Sequence, residues 1–82
     1  MPPRLPRDLS GTDLARLLRR YGYESTRQTG SHIRLTTTTG GEHHLTIPAH
    51  ASLRVGTLSA ILGAVAEHLK KTRDEVLEEL FA

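Results

Sequence analysis

The sequence predicts an α+β domain in which a three-stranded antiparallel sheet packs on helices, in the order α-β-β-β-α-α. Three observations carry this expectation: an i, i+3, i+4, i+7 apolar stripe from Leu14 to Tyr21, two segments around Ile33 and Leu45 that alternate apolar and polar residues, and a second helical stripe from Leu58 to Leu69. The apolar period passes from 3.6 to 2 and back, so helices flank a run of strands. A chain of 82 residues makes one domain and buries only about 60% of its unfolded surface, which leaves room for one core and one shallow site.

Residues 1 to 9 carry three prolines and two arginines without periodicity and read as an irregular arm, with the single domain following over residues 10 to 82. Ser10 opens the first helix, because its hydroxyl can cap the first turn while Asp13 stands three residues on. Leu14, Leu17, Leu18 and Tyr21 form its stripe and Gly22 stops it. Arg16, Arg19 and Arg20 fall off the stripe and read as a solvated face. Tyr23 to Gln28 has strand-like residues but weak alternation, so its register is open. Gly30-Ser31 then reads as a tight hairpin turn, with Gly30 expected to supply a positive φ.

The second strand is clearer, since Ile33 and Leu35 alternate with His32, Arg34 and Thr36; the aliphatic pair faces the core and the polar set faces out. Leu45 and Ile47 repeat the pattern in strand three. Residues directly opposite in an antiparallel pair share a face, which decides the intervening loop. A two-residue Gly40-Gly41 turn would set Leu35 against Thr46. A three-residue loop, Thr39-Gly40-Gly41, sets Leu35 against Leu45, Ile33 against Ile47 and Arg34 against Thr46, and is preferred. It also places His44 opposite Thr36, about 13 Å along the strand from His32 at about 3.3 Å per residue, too far to share a proton with it. Pro48 ends strand three opposite His32. After a loop containing Arg54, Gly56-Thr57 is expected to start the second helix with Thr57 as N-cap, and Leu58, Ile61, Leu62, Val65 and Leu69 line its buried side. Thr72 with Glu75 forms a capping box for a short acidic last helix whose apolar side is Val76, Leu77, Leu80 and Phe81.

Composition excludes several functions. With no cysteine there is no disulfide framework or thiolate metal site, and no apolar run approaches the roughly 20 residues that span a bilayer, so a soluble cytoplasmic protein without membrane contact is expected. His43 and His44 are consecutive in a strand and point to opposite faces, and no helical His pair exists, which argues against a metal. Neither Gly40-Gly41 nor Gly56-Thr57 has the flanking lysine of a phosphate-binding loop, and Ser31 lies in the same turn as His32 instead of on a nucleophile elbow. Tyr21, Tyr23 and Phe81 are too few for a base-stacking platform. Charge is uneven: residues 1 to 41 hold seven arginines against Asp8, Asp13 and Glu24, whereas residues 42 to 82 hold four basic and six acidic groups. The first half is therefore the anion-binding half.

These constraints converge on residues 27 to 35. Histidine is the side chain that exchanges a proton near neutral pH, and His32 begins a rigid strand with Arg27 and Arg34 close in sequence. That is a ribonuclease-like arrangement. Taken alone, the nine residues read rather as a plain turn with His32 a polar residue at its rim. His50 lies just beyond Pro48 and is the histidine whose chain position lets it approach His32, either as a second functional group or as a residue that ties down the loop.

Three separated segments, Thr29-Gly30-Ser31-His32, Ile47-Pro48-Ala49-His50 and Gly56-Thr57-Leu58-Ser59-Ala60-Ile61-Leu62, resemble the Gly-Ser-His, Pro-x-His and Gly-Thr-Leu…Ile-Leu pattern of the HicA family of bacterial and archaeal toxins. The Ser10-Gly11 start and Tyr21-Gly22-Tyr23 also resemble that family's opening, so the likeness covers residues 10 to about 65. It implies a double-stranded-RNA-binding-domain-like fold, cleavage of mRNA without a cofactor, and neutralisation by a HicB-like antitoxin. The family's catalytic histidine corresponds to His32. Where many members carry a second histidine or polar residue, this chain has Ile33, which the alternation places in the core. On this reading Arg27, Gly30, Ser31, Arg34 and His50 surround the RNA phosphate. The rival is a non-catalytic RNA-binding or protein-interaction module on the same fold, which would not need His32.

Overall fold

The computed structural model describes residues 5 to 81; residues 1 to 4 of the predicted arm lie outside the described residues. Residues 5 to 9 form no helix or strand, yet Leu5 and Leu9 pack on the core and the Leu9 carbonyl accepts from the Leu53 N–H at 2.8 Å. Helix α1 (Gly11–Leu17) is capped as expected, the Ser10 hydroxyl accepting from the Asp13 N–H at 3.0 Å, and it tightens into a 3-10 turn over Leu18–Tyr21 before Gly22. Leu14, Leu18 and Tyr21 are buried, whereas Leu17 is only half-buried. At about 100° per residue the three buried side chains fall within a narrow arc, and Leu17 lies on its edge away from Ala15, which does touch the core.

Strands β1 (Glu24–Gln28), β2 (His32–Thr37) and β3 (His43–Pro48) form one antiparallel sheet in the order β1-β2-β3. The β2–β3 register pairs Ile33 with Ile47, Arg34 with Thr46, Leu35 with Leu45, Thr36 with His44 and His32 with Pro48, the arrangement the alternation demanded. Pairing stops at Thr37 and His43, so the connection is wider than the expected three residues. A turn closes it, the Gly41 N–H donating to the Thr38 carbonyl at 3.1 Å, and Gly40 and Gly41 take φ values of 71° and 105°. In β1 every residue is exposed. The helices explain why: α1 packs on β2 and β3, so Ser25 and Gln28, which pair with the buried Leu35 and Ile33, stay wet.

Helix α2 (Val55–Leu69) begins three residues earlier than the Thr57 cap would have set it. Arg54, in extended conformation, is its N-cap, and Thr57 lies inside the first turn without capping anything. The start is set by tertiary anchoring: Leu53 is buried and its N–H is held by Leu9, so the chain can turn into helix directly after it, the Leu58 N–H reaching the Arg54 carbonyl at 2.9 Å. Leu58, Ile61, Leu62, Val65 and Ala66 are buried, with Leu69 half-buried at the end of the stripe. The predicted capping box of α3 (Arg73–Phe81) is reciprocal, Thr72 N–H to Glu75 Oε1 at 2.9 Å and Glu75 N–H to Thr72 Oγ1 at 3.1 Å. Val76 and Leu77 close the core against α2. Among the described residues no helix is long and apolar enough to cross a membrane.

Candidate active site at the first hairpin turn

The β1–β2 ladder ends at Gln28 and Ile33, and the Thr29 N–H donates to the His32 carbonyl at 3.0 Å, which leaves Gly30-Ser31 as a two-residue turn. Gly30 does not supply the expected positive φ, and a Cβ built there would meet nothing within 4 Å. The turn is held from the side instead. The Ser31 carbonyl accepts from the Ala49 N–H at 2.9 Å, extending the β2–β3 ladder past Pro48.

His32 is exposed at the start of β2, and its Nδ1 lies 3.0 Å from the Ser31 hydroxyl. When Nδ1–H donates to that oxygen, the lone pair of Nε2 is left facing outward. Arg34 is the next residue on the same face, flanked directly by Arg27 on β1 and Thr46 on β3. Arg27 reaches this face through a bulge. The register shifts between Ser25 and Arg27, so Thr26 is an extra residue; an unbroken ladder would have set Arg27 against Ile33 and turned it to the helix side. The Thr26 hydroxyl bonds the Arg34 carbonyl at 3.4 Å and lies 3.1 Å from the Thr36 hydroxyl, fastening the bulge down. In the sequence the bulge at Thr26 leaves one trace, the broken alternation of residues 23 to 28.

Two arginines directly opposite each other on one face repel. Among the described residues neither Arg27 nor Arg34 forms an ion pair, so the positive field beside His32 is unopposed at close range. His50 is exposed, and its backbone carbonyl, not its ring, does the tying: it accepts from the Gly11 N–H at 3.0 Å. Gly11 is needed there because a Cβ would come within 2.0 Å of the Pro48 carbonyl oxygen. The Ser10-Gly11, Ser31-His32 and Pro48-His50 segments thus meet at one end of the sheet, whereas Gly56-Leu62 builds the helix behind the core.

The other histidines are committed elsewhere. His44 lies between the Thr36 hydroxyl and the Glu42 carboxylate, each at 2.8 Å. His43 faces the helices, bonds the Tyr23 hydroxyl through Nδ1 at 2.6 Å and stacks on His68 at 4.4 Å between ring centroids. Desolvation by burial, reinforced by the neighbouring His68 and His44, lowers the His43 pKa, and burial pushes Tyr23 up to about 12. His68 Nε2 faces two carbonyls, Thr39 at 2.9 Å and Gly41 at 3.1 Å, so it carries the proton. No group of three His, Cys, Asp or Glu among the described residues is placed to hold a metal ion.

A family model described as the HicA toxin of bacterial toxin–antitoxin systems matches residues 11–71. No curated protein and no solved structure matches the chain significantly.

Proposed function

This chain belongs to the HicA toxin family, the toxin half of a toxin–antitoxin pair, and from that premise we propose that it is a cytoplasmic endoribonuclease that cleaves mRNA with His32 as general base and no metal ion. The observation that carries the proposal is the conjunction of an exposed imidazole, oriented by Ser31, with the unpaired Arg27 and Arg34 on the same face. His32 Nε2 takes the proton of a ribose 2′-hydroxyl; the 2′-oxygen attacks the adjacent phosphorus and the bond to the 5′-oxygen breaks, the leaving oxygen taking a proton from solvent. Products end in a 2′,3′-cyclic phosphate and a 5′-hydroxyl. Arg27 and Arg34 stabilise the charge that gathers on the phosphoryl oxygens, and the relief of their mutual repulsion adds to the attraction. Backbone N–H groups of Gly30 and Ser31 are available to the phosphate, and His50, next to the turn, is a second polar group within the same rim.

The site lies on an open face and not in a deep pocket, so control by a second chain is the economical solution. A HicB-like antitoxin covering His32, Arg34 and Thr46 would exclude RNA sterically, and an acidic surface on it would neutralise the two arginines.

Purified wild type and His32→Ala are incubated with RNA in excess EDTA. Wild type is expected to cleave and to leave cyclic-phosphate ends, and the folded variant to lose at least about 100-fold in rate. Retained cleavage by the variant, or wild-type cleavage that EDTA abolishes and a divalent ion restores, overturns the mechanism; RNA binding without cleavage by either protein identifies the non-catalytic module instead.

A further inference from the structure

The end of the sheet remote from His32 carries a second concave surface. The 3-10 turn after α1, the β2–β3 connection and the junction between α2 and α3 enclose a cleft of about 730 Å³. Arg19, Arg20, Lys70 and Lys71 border it, and among the described residues no carboxylate does. Two of these cations are braced from behind by Glu79: Arg20 donates to its carbonyl at 3.0 Å, and Lys71 pairs with its carboxylate at 3.0 Å. The Tyr21 hydroxyl donates to the other carboxylate oxygen, and these contacts hold the Glu79 pKa below its ordinary value.

Glu79 offsets only one of four positive charges. Among the described residues Arg19 and Lys70 form no ion pair. The carbonyl end of α2 attracts cations, but it carries only about half a negative charge and accounts for one lysine, not for the set. Lys70 also sits at φ 57°, ψ 41°, a left-handed conformation that glycine adopts more readily. A lysine is therefore held where glycine would ease the backbone.

The floor of the cleft narrows the choice of occupant. Leu69 is half-buried there and offers an apolar contact, while of the two rings in the lining Tyr21 is buried with its hydroxyl already bonded and His68 is stacked on His43 with its Nε2 held by two carbonyls. A nucleic-acid base would find no exposed tyrosine, phenylalanine or tryptophan to stack on, and the His68 ring is already engaged. A carboxylate-bearing segment with an aliphatic side chain would satisfy both the rim and the floor.

We propose that this cleft docks an acidic peptide segment, carrying one apolar anchor, from a protein partner. The assignment rests on the cleft and not on the nuclease chemistry, from which it is separated by the length of β2. A partner that also covers His32 would then hold the toxin at two points, the second contact becoming intramolecular once the first has formed.

The test uses the full-length protein and a fluorescein-labelled peptide, Gly-Glu-Glu-Leu-Glu-Asp-Gly, followed by fluorescence anisotropy at low salt. Saturable binding is expected, with amide shifts at Gly22, Gly40 and Lys70. Lys70→Gly removes a charge while easing the backbone, and Arg19→Gln removes another from an exposed site; together they should weaken the peptide by about tenfold or more, one decade corresponding to the loss of a modest charge contact. RNA cleavage by the double variant should stay at the wild-type rate, so this proposal and the nuclease reading fail in different assays. No saturable binding, or equal binding by the double variant, overturns the proposal. So does a double variant that loses affinity for a single-stranded RNA oligonucleotide while keeping the peptide, which would make the cleft a phosphate site.

Discussion

The two hairpins of the sheet differ in what their polar groups are doing. In the β2–β3 connection the Thr37 hydroxyl is buried, donating to the Tyr21 carbonyl at 2.9 Å and accepting from the Thr39 N–H at 3.1 Å, while His68 and His43 lock the same loop to α2 and Tyr23. In the β1–β2 turn, side chains are exposed and His32 has one hydroxyl neighbour. The first arrangement spends its hydrogen-bonding capacity on the fold, and the second keeps it for a ligand. Five histidines occur in the chain, and their bonding separates them better than their spacing does.

Substitutions can break this contrast. Thr37→Val keeps the shape but strands the Tyr21 carbonyl, and is expected to cost about 1–3 kcal/mol; Ser31→Ala, at an exposed hydroxyl, should stay within about 0.5 kcal/mol. Equal urea midpoints for the two would show that the far hairpin is no better wired than the near one. A smaller difference separates the glycines. Gly41→Ala places a side chain at φ 105°, with an expected cost of about 1–2 kcal/mol, whereas Gly30→Ala should be near neutral because the turn has room and an ordinary φ. Thermal denaturation of both variants decides it; a large loss at Gly30 would mean that the turn is strained after all.

The smallest effect is the dependence on pH. The folded state lowers the His43 pKa from 6.5, so the unfolded chain takes up the proton first. Its contribution to stability is complete above that value and declines as pH falls from there toward the lower folded value. Tyr23, His68, His44 and Glu67 surround the ring, and only Glu67 favours its charged form. His43→Phe should therefore flatten the fall in unfolding free energy between about pH 7 and pH 5 relative to wild type. An unchanged slope would assign the dependence to another group.

Much of this contrast was legible in the sequence, and the exceptions are instructive. The register of β2 on β3 follows from Ile33, Leu35, Leu45 and Ile47, because alternation on a half-buried strand leaves one solution. The caps at Ser10 and Thr72 are local chemistry and were readable for the same reason. Arg27 was different. Its face depends on the bulge at Thr26, and β1, wet on both sides, has no apolar pattern to record a register shift. The start of α2 depends on Leu53 being held by Leu9, a contact between distant segments that no local cap announces. At the site, the sequence indicated His32 and its basic neighbours; the absence of a special φ at Gly30 and the use of the His50 carbonyl are backbone facts that composition does not encode.

The bulge at Thr26 has a further consequence, for solubility. β1 is an edge strand, and a straight edge of free N–H and C=O groups is a template on which a neighbouring copy can add a strand. An extra residue breaks the spacing of those groups, and Glu24 and Arg27 place opposite charges near either side of it. A copy released from its inhibitor would thus remain dispersed along this edge instead of zipping onto its neighbours. Deleting Thr26 should turn the same strand into an aggregation seed.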